Sequence, residues 1–298
     1  MTHLFRLWVG ALCISLAPVF VKLVSDLSPT LIGFYRCLFA AFLLLPILAL
    51  AKQAPEGLKG HRLPLLKLSM LIGAVFAVDL WCWHRSVVYA GAGLSTLLAN
   101  TQVFYLGVAG VVLYGEPMRR QLWVAIGLAF LGIAVLIDPG STVVSPQYWT
   151  GIALGLMAGL AYATYLTLMR KLESLPVTLP TSYRLALVSV SSSVALLAIS
   201  FFEGPVRLPV GMDWLWLVGL AAVAQVMGWL LITRSLPHVS VSLVGLILLT
   251  QPVGATLWGA LLFNEPFEGR QIIGTLITLL AIYLGTLKSK PSSHTTQS

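Results

Sequence analysis

The sequence predicts an all-α integral membrane protein of ten transmembrane helices, arranged as two inverted five-helix repeats with both termini in the cytoplasm. Three observations lead to this prediction. The composition is too apolar for a water-soluble globule, one half of the sequence repeats the other, and the basic residues are unevenly divided between alternate ends of the apolar spans.

Hydrophobic residues make up 58% of the 298-residue chain and charged residues only 9%. Soluble domains carry roughly 25% charged residues, so a water-surrounded globule is excluded. Several stretches approach or exceed the ~18 apolar residues that mark a membrane-spanning helix. The ten spans that we predict lie near residues 7–24, 30–51, 65–86, 93–114, 119–137, 149–168, 180–202, 212–233, 240–262 and 270–287.

The formal net charge of +8 does not indicate a nucleic-acid partner, because the basic residues flank the apolar spans. One side of the ten-span arrangement receives Arg6, Lys52, Lys59, Arg62, Lys67, Arg119, Arg120, Arg170, Lys171, Arg234, Lys288 and Lys290, and the other receives Lys22, Arg85, Arg207 and Arg270. The richer side is expected to be cytoplasmic, which places both termini there and predicts a multi-pass protein of the inner (plasma) membrane.

Residues 85–117 recur at 234–266 with a constant displacement of 149 positions. The matching residues include Arg85-Ser86 with Arg234-Ser235, Thr101-Gln102 with Thr250-Gln251, Gly110 with Gly259, and Glu116-Pro117 with Glu265-Pro266. Such coincidences predict a tandem duplication, with repeats at 1–138 and 149–288 and a disordered tail at 289–298. Because five is an odd number, the second repeat enters the membrane from the opposite side, as in many secondary transporters.

The repeated elements resemble the EamA domain of the drug/metabolite transporter superfamily. They are Arg85-Ser86, the small-residue run Ala90–Gly93, the segment Leu97-Leu98-Ala99-Asn100, and Glu116-Pro117. The resemblance extends from about Leu7 to Leu287 and implies transport of small organic metabolites, often outward. Members usually carry proline three residues after the asparagine, but this chain has Val103 there and keeps only the second-half residue, Pro252. We therefore expect a proline-induced break in span nine alone.

Asp79 is the only acidic residue well inside a predicted span. A charge at that depth costs roughly 2.5–3.5 kcal/mol on insertion scales, so it should face the bundle interior. Arg36 lies at a similar depth on the antiparallel span two, which makes an Asp79–Arg36 ion pair geometrically reasonable. The alternatives for Asp79 are a proton site and a partner for a substrate ammonium group. Its repeat position is Gly228, so substrate binding is expected to be asymmetric.

Other polar and aromatic side chains within the spans are candidates for lining a substrate cavity. They are Trp83, His84, Asn100, Gln102, Tyr162, Tyr165, Gln225, Trp229 and Gln251. Trp83 follows Asp79 by one helical turn and could stack on a substrate. Interhelical hydrogen bonds and aromatic packing explain the same residues without a ligand, and both interpretations stay open.

Glu116-Pro117 and Glu265-Pro266 follow spans four and nine. Proline suits the first position of a helix, and a glutamate before it would face the positive end of that next helix. Each pair is therefore predicted to be a helix cap, or else a hinge or gate contact. In span six, glycines at four-residue spacing, Gly151, Gly155 and Gly159, predict close helix packing.

These features favour a secondary transporter that moves a small organic metabolite by alternating access, with export of amino acids or related amines as the leading hypothesis. Protons are a candidate coupling ion through Asp79, and exchange and facilitated diffusion remain open. A phosphate-loop motif is absent from the sequence, and we predict no cofactor and no metal site. The expected partners are the substrate and the lipid bilayer, with the chain a monomer or weak dimer.

Three alternative functions are compatible with a membrane protein of this composition or would need features of their own. A facilitative uniporter or channel would differ from a coupled transporter in its kinetics, and an importer would carry a nucleoside, vitamin or sugar. An integral membrane enzyme would need a clustered acidic metal site or an HExxH motif, and the sequence contains neither. We therefore predict that the protein is not an enzyme.

Overall fold

The computed structural model describes residues 2–50, 61–90, 92–117, 120–136, 147–263 and 269–286. Helices are the regular elements of this part of the chain, which confirms the predicted all-helical class. The α-helices are α1 (Thr2–Ser15), α2 (Ala17–Leu23), α3 (Pro29–Leu50), α4 (Arg62–Ala90), α5 (Ala92–Ala99), α6 (Gln102–Tyr114), α7 (Arg120–Leu136), α8 (Tyr148–Glu173), α9 (Thr181–Glu203), α10 (Asp213–Leu220), α11 (Trp229–Ser235), α12 (Val241–Leu248), α13 (Thr250–Phe263) and α14 (Gly269–Thr286). A π-helical segment, Ala221–Gly228, joins α10 to α11, and a 3₁₀ turn, Leu236–His238, follows α11.

Seven helical segments of the described chain are long and apolar enough to cross a membrane. They are Thr2–Leu23, Pro29–Ile47, Arg62–Ser86, Tyr148–Glu173, Thr181–Glu203, Asp213–His238 and Val241–Phe263. Three shorter apolar helices lie where spans four, five and ten are predicted: Gln102–Tyr114, Arg120–Val135 and Ile272–Gly285. The predicted tail at 289–298 lies outside the described residues.

Span four is interrupted at Asn100 and Thr101, between α5 and α6. Span four is therefore interrupted without a proline, and the sequence did not predict this break. Polar side chains take the place of a proline here, because Asn100 Nδ2 donates to the Thr96 carbonyl at 2.8 Å and Thr101 Oγ1 donates to the Leu98 carbonyl at 2.6 Å. Such bonds compete with the backbone hydrogen bonds of a helix.

Span nine is interrupted at Leu249, between α12 and α13. Pro252 follows three residues later and lacks the N–H that a continuous helix would need. Thr250, the repeat mate of Thr101, donates from Oγ1 to the Ile247 carbonyl at 2.7 Å. The two breaks therefore share a threonine bond and differ in the proline.

Helices that hold equivalent positions in the two repeats pack on each other across the molecule. α3 packs on α9, and α7 packs on α14. α4 packs along α8, and the corresponding contact in the other half places α1 against the π-helical segment and α11. Each repeat thus contacts the other through reciprocal helix pairs.

The glycines of α8 permit the close packing that their spacing predicts. A Cβ atom on Gly155 would lie 2.8 Å from both Leu98 Cβ and Ser86 Oγ, and one on Gly151 would lie 2.8 Å from the Cβ atoms of Ala90 and Tyr89. The stripe therefore lies against the end of α4 and against α5, which contact α8.

Candidate functional site

An aromatic cluster lies where the two repeats meet. Its members are Phe76 on α4, Tyr165 on α8 and Trp229 at the start of α11, and each is at most 2% exposed. The ring centroids of Tyr165 and Trp229 are 4.7 Å apart, and Phe76 lies 4.8 Å from Tyr165 and 5.9 Å from Trp229. These tilted and edge-on contacts are the arrangements that aromatic rings prefer.

Arg36 reaches this cluster from α3. Its Nε donates to Gln225 Oε1 at 2.7 Å, and its guanidinium carbon lies 5.8 Å from the centre of the Phe76 ring. Gln225 belongs to the π-helical segment, which adds a residue to the turn and so changes which side chains face the neighbouring helix. π-helical segments are frequent at functional sites.

Asp79 lies one turn along α4 from Phe76 and is half-buried. It interacts electrostatically with Arg36 and Tyr162, and among the described residues it has no hydrogen-bond or salt-bridge partner. The direct Arg36–Asp79 ion pair that depth alone suggested is therefore not formed, and Arg36 Nε is bonded to Gln225 instead. The two opposite charges instead border the same interior region.

Tyr162 and Gln251 connect α8 to the broken span nine. Gln251 Nε2 donates to the Tyr162 hydroxyl at 3.0 Å, and the Tyr162 ring lies 6.1 Å from Trp229. Both side chains are half-buried, and Tyr162 interacts electrostatically with Asp79, so they add polar groups to this region. Gln102, the repeat mate of Gln251, is instead buried and donates from Nε2 to the Gly245 carbonyl at 3.4 Å.

The other candidate residues make no ring contact with the aromatic cluster within the described chain. Trp83 and His84 are half-buried and pair with each other at 5.0 Å between ring centroids. Asn100 is occupied by the local bond at the break in span four. His84 interacts electrostatically with Arg36. Among the predicted site residues, Asp79, Arg36, His84, Tyr162, Tyr165, Gln225, Trp229 and Gln251 are thus brought together, and Trp83, Asn100 and Gln102 are not.

Several buried polar atoms around the cluster have no hydrogen-bond partner within the described part of the chain. They are the Tyr165 hydroxyl, Trp229 Nε1 and Gln225 Nε2, with Gln102 Oε1 further off. Buried polar groups are normally paired, and exceptions call for an explanation. A polar solute bound at the junction would supply such partners.

Glu116 makes a contact that the sequence did not predict. It was expected to cap the next helix, α7, or else to make a hinge or gate contact, and its carboxylate caps α12 in the other repeat. Ser242 donates to Glu116 Oε2 from Oγ at 2.8 Å and from its backbone N–H at 3.3 Å, and the Val241 N–H donates to Oε1. Gly115 has a left-handed φ of 62° at the end of α6, and this turn directs Glu116 toward α12.

Arg170 of α8 reinforces this contact and was not singled out by sequence. Its Nη1 donates to the Val239 carbonyl at 2.7 Å and lies 4.0 Å from Glu116 Oε1, and its guanidinium stacks 4.6 Å from the Tyr114 ring centre. Glu116 and Pro117 also line a small cavity of about 120 Å³ beside α7. Glu265 and Pro266 lie outside the described residues.

No cluster of three or more His, Cys, Asp or Glu side chains with metal-binding geometry occurs in the described ranges. The three cysteines, Cys13, Cys37 and Cys82, are buried and free. The arrangement at the junction is therefore one of opposite charges, amides and aromatic rings, which suits noncovalent binding of an organic solute.

Comparison with known proteins agrees with the resemblance noted in the sequence. The EamA-like transporter family matches residues 3–138 and 149–287. The chain is similar to the uncharacterized transporter YetK of Bacillus subtilis, with 26% identity over 291 residues that cover 95% of this chain and 82% of that protein. It is also similar to the pseudopaline exporter CntI of Pseudomonas aeruginosa, with 23% identity over 266 residues that cover 87% of this chain and 88% of that protein.

A solved crystal structure shares the fold, with a TM-score of 0.81 over 96% of this chain and 98% of its own, at 15% sequence identity. Together with the two family matches, which span nearly the whole sequence, this similarity agrees with a helical transporter architecture. The chain therefore belongs to the EamA-like transporter family and is a multi-pass membrane transporter.

Proposed function

We propose that the protein is a secondary transporter that exports a small organic metabolite, an amino acid or a related amine, across the inner membrane by alternating access. The observation that carries this proposal is the meeting of Asp79, Arg36 and four aromatic side chains at the junction of the repeats. The aromatic residues are Phe76, Tyr162, Tyr165 and Trp229.

The proposed topology has ten spans in two inverted repeats, at 1–138 and 149–288, with both termini in the cytoplasm. The seven long apolar segments and three shorter ones support the number of spans. The excess of Lys and Arg on one side supports the orientation. In this topology Glu116, Arg170 and the start of α12 lie toward the cytoplasm.

The substrate class follows from the charges at the junction. Asp79 is half-buried without a direct cationic partner in the described chain, so it suits a substrate ammonium group. Among the described residues Arg36 has only the neutral Gln225 as its hydrogen-bond partner, so its remaining N–H groups suit a carboxylate. The surrounding rings would stabilise a cation or pack against an apolar side chain.

Asp79 is also the candidate for proton coupling. A carboxyl group that can exchange a proton for a substrate cation would link solute export to proton entry. The outward direction takes its support from the similarity to a protein named as an exporter.

The experiment is a two-stage assay on the purified chain. Thermal-shift screening against a metabolite library identifies ligands, and counterflow in proteoliposomes then tests whether they are transported. We expect saturable counterflow of an amino acid or amine, which Asp79→Asn reduces and Asp26→Asn, the removal of an exposed carboxylate, leaves unchanged. Non-saturable flux would contradict a transporter, and equal counterflow in both variants would remove Asp79 from the mechanism.

A further inference from the structure

The two seams between the broken spans are packed differently. α6 packs along α12, and we call this contact the α6–α12 seam. Repeat symmetry makes α5 and α13 the equivalent pair, but their described residues are not packed in the same way. Leu106 on α6 is 0% exposed, while its repeat mate Ala255 on α13 is half-buried. The junction is therefore closed at the α6–α12 end and looser at the α5–α13 end.

Glycines allow the α6–α12 seam to close tightly. A Cβ atom on Gly245 would lie 3.0 Å from Leu106 Cδ1, and one on Gly110 would collide with the Glu116 carboxylate and the Ser242 hydroxyl. The close approach of the two backbones thus places Glu116 directly over the first turn of α12.

The Glu116 carboxylate supplies the cap that α12 otherwise lacks. Ser240 is the N-cap residue of α12, and its side chain makes no capping hydrogen bond. Glu116 accepts bonds from the Val241 and Ser242 N–H groups instead, and its negative charge faces the positive end of the helix. One repeat therefore caps a helix of the other, and the cap exists only while the seam is closed.

The contact of Arg170 with Tyr114 does not distinguish the two ends. Lys22 lies 4.2 Å from the centre of the Phe263 ring, and these residues are the repeat mates of Arg170 and Tyr114 at offsets of 148 and 149. A cation–ring contact is thus present at both ends. The contact of Glu116 with α12 is the better place to test what keeps one end closed.

We propose that the Glu116–Ser242 clasp, meaning the bonds from Val241 and Ser242 to the Glu116 carboxylate, holds the transporter closed at the α6–α12 end. Release of the clasp opens that end to the cytoplasm. The proposal rests on alternating access from the proposed function, but it requires no knowledge of the substrate.

The test measures thiol labelling in a background without Cys13, Cys37 and Cys82, and no substrate is added. Leu106→Cys reports opening of the α6–α12 seam, and Ala255→Cys reports the equivalent position at the other end. Each reporter is combined with Glu116→Gln, with Ser242→Ala, or with the matched control Ser240→Ala, which removes an exposed serine hydroxyl that does not cap the helix.

We expect Glu116→Gln to raise the ratio of Leu106→Cys labelling to Ala255→Cys labelling by roughly five- to thirtyfold, the population change that follows the loss of a helix cap. Ser242→Ala should raise it less, and Ser240→Ala should leave it unchanged. Size-exclusion profiles identify variants that fail to fold, and Ser242→Ala still tests the proposal if Glu116→Gln is one of them.

Unchanged labelling ratios in the folded clasp variants would overturn the proposal. So would a rise at both reporters together, because it would indicate general loosening in place of a switch between ends. A chain that shows this switch but no solute counterflow would refute the proposed function and leave the clasp intact.

Discussion

The two repeats have the same order of helices, but their equivalent packing contacts differ. The contact of α4 with α8 contains an acidic side chain, whereas the described contact of α1 with the π-helical segment and α11 does not. Asp79 on α4 interacts electrostatically with Tyr162 on α8. The equivalent positions in the other half hold Gly228 and Ile14, at offsets of 149 and 148. A Cβ atom on Gly228 would lie 2.8 Å from Ile14 Cγ1, so this interface is packed tightly where the other is polar. The two equivalent interfaces therefore differ, because one contains polar groups and the other is closely packed.

The paired arginines show the same divergence. Arg184, the repeat mate of Arg36, donates from Nη1 to Glu173 Oε2 at 3.0 Å and from Nη2 to the Val177 carbonyl at 2.9 Å. Glu173 gives it an ionic partner, whereas within the described ranges Arg36 bonds only to the neutral amide of Gln225. Arg184 therefore fastens the turn after α8, and Arg36 keeps its charge available to an anionic group.

The largest effect is expected when an acidic residue is introduced at Gly228, the second-half position equivalent to Asp79. Gly228→Asp would place a charge against Ile14 and Cys13, at a cost of about 2.5–3.5 kcal/mol for the charge besides the steric clash. We expect no monodisperse folded peak in size-exclusion chromatography.

Gly228→Ala should fold but lose about 1–3 kcal/mol of stability through overpacking. Gly127→Ala is the control, because a Cβ atom there meets nothing within 4 Å. A Gly228→Asp protein as stable as the parent would show that the α1 interface is not closed as described.

The converse change removes the polar group from the first half. Asp79→Asn should lower transport by about 10- to 100-fold, because a charge-assisted bond to the substrate is lost. If Asp79 also exchanges the coupling proton, the remaining transport should no longer vary with external pH. Uptake and pH profile are measured in proteoliposomes, and retention of both in the mutant would show that the polar interface is not the transport site.

Replacing each of the two arginines with lysine tests the comparison between Arg36 and Arg184. Arg184→Lys should lower the thermal unfolding temperature, since lysine cannot reproduce the bonds to Glu173 and Val177 together. Arg36→Lys should leave that temperature nearly unchanged and reduce transport by about tenfold. If Arg36→Lys instead lost stability and transported normally, Arg36 would be the structural arginine, which would contradict this comparison.

The smallest effect is expected at the edge of the polar interface. Tyr162→Phe removes the bond from Gln251, and interhelical hydrogen bonds of this kind contribute about 0.6 kcal/mol. We expect a rise in KM of about threefold with little change in stability. A loss of transport as large as that of Asp79→Asn would mean that the hydroxyl itself contacts the coupling proton or the substrate.

Much of this asymmetry could be predicted from sequence. Span length and the lack of charge predict helices in lipid, and the offset between the halves pairs Asp79 with Gly228 before any coordinates are known. The polar side chains near the middle of the spans can also be recognised as candidate site residues, because polar groups within the membrane are costly and are therefore often functional.

The detailed contacts could not be predicted, because they depend on local backbone geometry. The π-helical segment that brings Gln225 to Arg36 has no signature in hydrophobic periodicity. Phe76 precedes Asp79 by three residues and therefore shares its helix face, but its contact with Tyr165 requires the packing of α4 on α8. The contact of Glu116 with α12 depends on the left-handed turn at Gly115 and on a helix from the other repeat.

The inverted relation of the two repeats is the claim on which the rest depends, and sidedness of labelling tests it most directly. Arg85 and Arg234 are repeat mates near the ends of spans three and eight, and Arg234 is exposed. Each is replaced by cysteine in the cysteine-free background and labelled with a membrane-impermeant maleimide in oriented vesicles. The inverted arrangement predicts labelling of Arg85→Cys from outside and of Arg234→Cys from the cytoplasmic side, and labelling of both from the same side would contradict it.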